Sequence, residues 1–157
     1  MPVVICPPND TVCIDAPPFT LSGGSPTPGT YSGPGVGVGG VFDPVVATVG
    51  VHTIVYTYTD PVTGCTDTCH FTISVSSLPV VTCPPADTVC VNDAPFTLLG
   101  GSPAGGDFSG SGVALGDFDP AIAGVGTHTL VYTFTDPNTD CSDTCQFTIT
   151  VLPLPVV

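Results

Sequence analysis

The reactive groups most concentrated in this sequence are thiols. Eight cysteines form two sets with nearly matching internal spacings: Cys6, Cys13, Cys65 and Cys69, then Cys83, Cys90, Cys141 and Cys145. Four thiolates could hold a structural Zn²⁺. However, the C-x6-C and C-x3-C spacings miss the usual C-x2-C knuckle, and the density of cysteines fits disulfides formed in an oxidising compartment. His52 and His128 occupy equivalent places, but neither has a second His or a free thiolate at ligand spacing, so each reads as a residue at the start of a strand. His70 is replaced by Gln146 in the second set. No Ser sits in a G-x-S-x-G setting, and no Ser, His and Asp constellation recurs, so the chain is predicted not to be an enzyme.

Carboxylates are the other abundant chemistry. All 13 acids are Asp, there is no Lys or Arg, and the formal charge is −13. That excludes internal salt bridges, basic phosphate clamps, Lys-based Schiff bases and Lys–Asn crosslinks. It also excludes nucleic acid and anionic lipid as partners, because both are bound by cations. Asp60 and Asp67 flank one predicted hairpin turn, and Asp136, Asp140 and Asp143 flank the other. Unpaired carboxylates are hard ligands for Ca²⁺, but no EF-hand spacing is present. A solvated acidic turn is therefore the first reading and a weak Ca²⁺ site the second; no other cofactor is expected. Gly33-Pro34-Gly35-Val36-Gly37-Val38-Gly39-Gly40 has glycines at phosphate-loop spacing but no Lys or helix after it, and reads as a flexible loop.

The elements that must position these groups come in two copies. Residues 2–77 lie on residues 79–153 with a period of 77 that falls to 76 after one deletion in the Gly-rich stretch. Asp10-Thr11-Val12-Cys13 returns as Asp87-Thr88-Val89-Cys90, Gly23-Gly24-Ser25-Pro26 as Gly100-Gly101-Ser102-Pro103, and Phe71-Thr72-Ile73 as Phe147-Thr148-Ile149. Within a copy, Ile54, Tyr56 and Tyr58 alternate with Thr53, Thr57 and Thr59. After Asp60-Pro61-Val62-Thr63-Gly64, Cys69, Phe71, Ile73 and Val75 alternate with His70, Thr72 and Ser74. This is an antiparallel hairpin. Shorter strands are predicted near Val3–Ile5, Thr11–Ile14, Phe19–Leu21, Thr30–Ser32 and Val41–Phe42. With 19 Gly, 19 Pro and 42% hydrophobic residues, the chain is all-β: two small sandwich modules, 1–77 and 78–153, with 154–157 opening a further repeat or a linking strand.

Val81-Thr82-Cys83-Pro84-Pro85 and Asp143-Thr144-Cys145-Gln146-Phe147-Thr148-Ile149-Thr150-Val151 resemble the opening and closing strands of hyalin-repeat modules. Phe96-Thr97-Leu98-Leu99-Gly100-Gly101-Ser102-Pro103, with Phe118-Asp119-Pro120, is similar to the tandem immunoglobulin-like repeats of large secreted surface proteins of Bacteroidota. The resemblance implies two tandem immunoglobulin-like modules in an extended array. It implies a location outside the cell or on its surface, and a non-catalytic structural or adhesive role as a filament, stalk or adhesin with a surface glycan or protein as ligand. A carbohydrate-binding or accessory module of a secreted hydrolase is the alternative, but the sequence has no Trp to offer a stacking platform. The positions where hyalin-like modules bridge imply the disulfides Cys6–Cys69 and Cys13–Cys65, repeated as Cys83–Cys145 and Cys90–Cys141. Closing loops of this length stabilises a module by roughly 4 kcal/mol per bridge, against roughly 2 for a Cys65–Cys69 ring.

Asp10-Thr11-Val12 and Asp87-Thr88-Val89 resemble the Asp-(Ser/Thr)-aliphatic acceptor of Bacteroidota O-glycosylation, which makes Thr11 and Thr88 the expected glycan sites. Asn9-Asp10-Thr11 matches the N-glycosylation triplet, but Ala86 stands at the equivalent place and chance is the better reading. Leu154-Pro155-Val156-Val157 repeats Leu78-Pro79-Val80-Val81. The tail is therefore expected to make fibre contacts, by covalent continuation into further repeats or by head-to-tail self-association.

Overall fold

The computed structural model describes residues 3–156. The chain folds as two units. The first runs to Leu78 and includes Asn138–Cys141; the second holds Pro79–Pro137 and the residues from Ser142 onward. The boundary falls one residue beyond the one expected from the repeat. The turn 138–141 belongs to the first unit, and residues 154–156 go with the second.

In the first unit, β1 (Asp10–Cys13), β6 (Thr66–Ser76), β5 (Gly50–Thr59) and β3 (Gly29–Ser32) form one sheet in that order, and β2 (Phe19–Thr20) pairs with β4 (Val41–Phe42) in another. The second unit repeats the plan. Strands β7 (Asp87–Cys90), β13 (Ser142–Leu152), β12 (Gly126–Thr135) and β9 (Asp107–Ser109) form one sheet, opposed by β10 (Val113–Ala114), β11 (Asp117–Phe118) and β8 (Phe96–Thr97). Lettered A to G in chain order, the second unit reads A-G-F-C against D-E-B. This is the seven-strand immunoglobulin-like sandwich with its first strand on the G edge.

That first strand changes sheets for a chemical reason. Ile5 exchanges two backbone hydrogen bonds with Ser25, at 2.8 and 3.0 Å. The chain then meets Pro7 and Pro8, which have no N–H to continue a ladder. Pairing resumes in parallel with β6, Asp10 opposite Ile73 through Cys13 opposite Ser76. The predicted strand at Val3–Ile5 thus survives only as a single bridge.

Alternation decides what is buried. Ile54 and Tyr56 on β5, and Phe71, Ile73 and Val75 on β6, face Leu21 and Phe42 across the first sandwich; Leu130, Tyr132, Phe147, Ile149 and Val151 face Leu98 and Phe118 in the second. Each such side chain contributes about 1.5–3 kcal/mol on burial. Domains this small still bury only ~60% of their unfolded surface, so covalent bridges matter to them. Tyr56 donates its hydroxyl hydrogen bond to the Pro26 carbonyl and Tyr132 to that of Pro103, both at 2.5 Å, so each ring is buried with its polar tip satisfied. The rings also explain the repeated Gly-Gly-Ser-Pro motif. A Cβ on Gly24 would come within 2.6 Å of the Tyr56 ring, and one on Gly101 within 2.5 Å of the Tyr132 ring.

Short helical elements escaped the all-β expectation, a 3-10 turn at Val38–Gly40 and two α turns. Single helical turns, α1 (Pro44–Ala47) and α2 (Pro120–Ala123), are capped by Asp43 and Asp119, whose carboxylates accept from the backbone N–H of Val45 and Val46, and of Ala121 and Ile122. Asp followed by Pro is the N-cap and first-position signature of a helix. One glycine of the Gly-rich stretch packs onto each of these turns, while Val38 and Gly39 stay open to solvent in the loop. At Gly35 (φ +76°) a Cβ would lie 2.6 Å from the Ala47 Cβ, and Gly112 meets Ala123 in the same way.

Candidate functional site

Among the described residues, the cysteines are the chemistry that the fold concentrates. Cys69 lies on β6 opposite Tyr56 and is bonded to Cys6 just before the proline crossover; Cys83 and Cys145 repeat this bond, with Cα atoms 5.7 Å apart in both. The other pairing differs from expectation. Cys13 is bonded to Cys141, with Cα atoms 5.6 Å apart, while Cys65 and Cys90 are free.

Strand register explains why Cys13–Cys65 and Cys90–Cys141 do not form. Cys13 is opposite Ser76 at the last residue of β6, whereas Cys65 immediately precedes the first, Thr66. Eleven residues of strand at ~3.3 Å each separate the two positions by roughly 35 Å, far beyond the reach of a disulfide. Cys90, opposite Leu152 at the end of β13, is separated from Cys141 in the same way. The bond that does form lies within the first unit, because the 138–141 turn carrying Cys141 belongs there. Cys141 is fully buried.

The other expected sites are structural or simply exposed. His52 and His128 each donate from Nε2 to a backbone carbonyl 2.8 Å away, on Thr48 and Gly124, clamping the turn between the short helix and the strand that follows. Asp60 accepts from the N–H groups of Val62 and Thr63 at 2.8 and 3.2 Å, and these bonds hold its carboxyl below the usual range. Asp67 and Asp143 accept from the N–H of the next residue, Thr68 and Thr144. Asp140 holds the turn before Cys141 with φ +57°. Among the described residues, no three His, Cys, Asp or Glu side chains are grouped so as to hold a metal.

Thr11 and Thr88 are exposed on the edge strands β1 and β7, with the preceding Asp folded back onto the Thr N–H at 2.8 and 2.7 Å. Asn9 accepts from the Thr72 N–H at 2.9 Å, a structural task with no equivalent at Ala86. Leu154, Pro155 and Val156 are exposed, and Val157 lies outside the described residues.

Each unit also has a cleft of about 400 Å³ beneath its proline crossover, lined by Pro7, Pro8, Phe19, Leu21, Phe71 and Ile73 in the first. The equivalent residues line the second. The lining is mixed: Asn9, Asp10, Thr20 and Ser22 join the apolar side chains in the first cleft, and Asp87 and Thr97 in the second. In both clefts the carboxylate accepts from the N–H of the residue that follows it, Thr11 or Thr88.

Three disulfides fit an oxidising, extracellular setting. Among the described residues, no helix is long and apolar enough to cross a membrane. No protein-family profile matches the chain, and no curated protein matches it. Among solved structures it is similar to three domains of Drosophila N-cadherin, at 13% identity and a TM-score of 0.37, over 94% of this chain and 65% of that one. It is also similar to an endo-fucoidan hydrolase of glycoside hydrolase family 107, at 12% identity and a TM-score of 0.27, over 88% of this chain and 24% of that one. The chain thus spans less than two thirds of either.

Proposed function

We propose that this chain is a structural segment of an extracellular or cell-surface array, a filament, stalk or adhesin built from repeated immunoglobulin-like modules, and that it performs no catalysis. The observation that carries the reading is the Cys13–Cys141 bond, which ties the first copy of the repeat to the hairpin turn of the second. A covalent tie from copy to copy transmits tension along a chain. It contributes nothing to a reaction centre. The carbohydrate-binding alternative has less support, since the Tyr56 and Tyr132 rings are buried and not offered to a sugar.

The test is a binding screen of the folded chain against a polysaccharide panel, run beside light scattering. Concentration-dependent self-association without saturable sugar binding is the expected result; saturable binding of one polysaccharide by a dispersed monomer overturns the reading.

Glycans on Thr11 and Thr88 belong to the same proposal. The surface has few charges to hold water, and attached sugar supplies hydration. Protein taken from its native source is expected to weigh more than the 15.7 kDa of the bare sequence. An intact mass equal to that value, less the disulfide hydrogens, removes the glycans from the proposal.

A further inference from the structure

The two free thiols are the complementary halves of the bond already present. In repeat position Cys90 is the counterpart of Cys13, and Cys65 is the counterpart of Cys141. We propose that Cys90 of one chain bonds to Cys65 of a second copy of this chain, reproducing Cys13–Cys141 at each junction and giving a covalent head-to-tail polymer. This rests on the array reading and names the linkage that would hold such an array together.

Local backbone supports the equivalence, because each free cysteine is presented as its bonded counterpart is. The residue after Cys13, Ile14, donates to the Ser76 carbonyl at 2.9 Å, and the residue after Cys90, Val91, donates to that of Leu152 at 3.0 Å. The Cys13 carbonyl accepts from the Ala16 N–H at 3.1 Å, and the Cys90 carbonyl from the Asp93 N–H at 3.0 Å. At the other half, the N–H of Cys65 and that of Cys141 each donate to a threonine hydroxyl two residues earlier, Thr63 at 3.3 Å and Thr139 at 3.4 Å. Each also follows a residue of positive φ, Gly64 at 72° and Asp140 at 57°. Cys65 is exposed and Cys90 half-buried.

Within one repeat the length of a strand separates Cys65 from Cys13 and Cys90 from Cys141, and Cys13 and Cys141 are already bonded to each other. In an oxidising compartment an unpaired thiol is a site of intermolecular exchange.

Formation of the bond requires an oxidant, here a small-molecule disulfide such as oxidised glutathione. The Cys90 thiolate attacks one sulfur of the oxidant, forming a mixed disulfide and releasing one thiol. The Cys65 thiolate of the second chain then attacks the Cys90 sulfur and releases the other. Two protein thiols lose two protons and two electrons, and one disulfide becomes two thiols.

The experiment treats purified chain with oxidised glutathione and reads the products on non-reducing gels, with the linkage mapped after chymotrypsin digestion, since the sequence has no Lys or Arg for trypsin to cut at. The wild type is expected to form a ladder. C65S alone and C90S alone are expected to stay monomeric, and an equimolar mixture of the two to form a dimer and nothing larger, joined Cys90 to Cys65. A bond between Cys65 and Cys90 of one chain, dimers of C65S through Cys90 alone, or an unlinked wild type overturns the proposal. Light scattering of the C65S/C90S double variant separates the two readings. Association without the Cys90–Cys65 bond in the wild type leaves the array standing and refutes the linkage, whereas a dispersed monomer that never crosslinks removes both.

Discussion

Pulled from its ends, the oxidised chain is expected to extend to only roughly 100 Å, and the reduced chain to roughly 550 Å, at ~3.6 Å per residue. The short figure follows from the disulfide connectivity. A force applied at the termini passes along residues 1–13, crosses the Cys13–Cys141 bond, and leaves along residues 141–157, so the 127 residues between the two cysteines carry no load. Replacing Cys13 alone changes little, because a second path through Cys6–Cys69 and Cys83–Cys145 is only a few residues longer. Two redundant routes of similar length suit a load-bearing segment and would have no evident use in a binding module. Single-molecule stretching with and without reductant measures both lengths. An oxidised molecule that unravels to several hundred ångströms shows that the bridges are not those described.

How far the sequence determines this arrangement depends on the range of each interaction. The hairpins β5–β6 and β12–β13 were legible because an alternating run such as Ile54, Tyr56, Phe71, Ile73 and Val75 writes its inner face into the residue order. The short strands at Phe19 and Val41 were legible through the Gly and Pro that bound them. Cys6–Cys69 could be anticipated from the resemblance to hyalin-like modules, with Cys69 in phase with the inward Phe71 on β6. The partner of Cys13 could not. Within a repeat, every cysteine has an equivalent in the other copy, and residue order alone does not say which copy supplies the partner. The discriminating fact is that Cys13 pairs with the last residue of β6 and not with the first, a parallel register between segments more than sixty residues apart. The helical turns at Pro44 and Pro120 were missed for another reason. Their Asp-Pro signature was present, but four residues of helix leave no trace in a composition dominated by Val and Thr.

The C83S/C145S double variant is expected to lose about 3 kcal/mol and to melt roughly 10–25 °C lower, on the loop-entropy estimate and the usual slope for a domain of this size. A free 62-residue closure would contribute about 4 kcal/mol, but the Cys6–Cys69 and Cys13–Cys141 bonds already shorten the path between positions 83 and 145 in the unfolded chain, through residues 69–83, 6–13 and 141–145, and trim the estimate by about 1 kcal/mol. The loss is a large share of what a small sandwich has available, since net stabilities of whole domains are about 5–15 kcal/mol. The control is the C65S/C90S double variant, which removes two thiols that close no loop within the chain and is expected to stay within about 0.5 kcal/mol of the wild type, as surface substitutions do. Thermal melts of the two variants followed by circular dichroism, at concentrations too low for association, make the comparison. If they melt together, the Cys83–Cys145 bond does not act by restricting the unfolded chain, and the stability of the second unit resides in the packing of Leu130, Phe147 and Ile149 against Phe118.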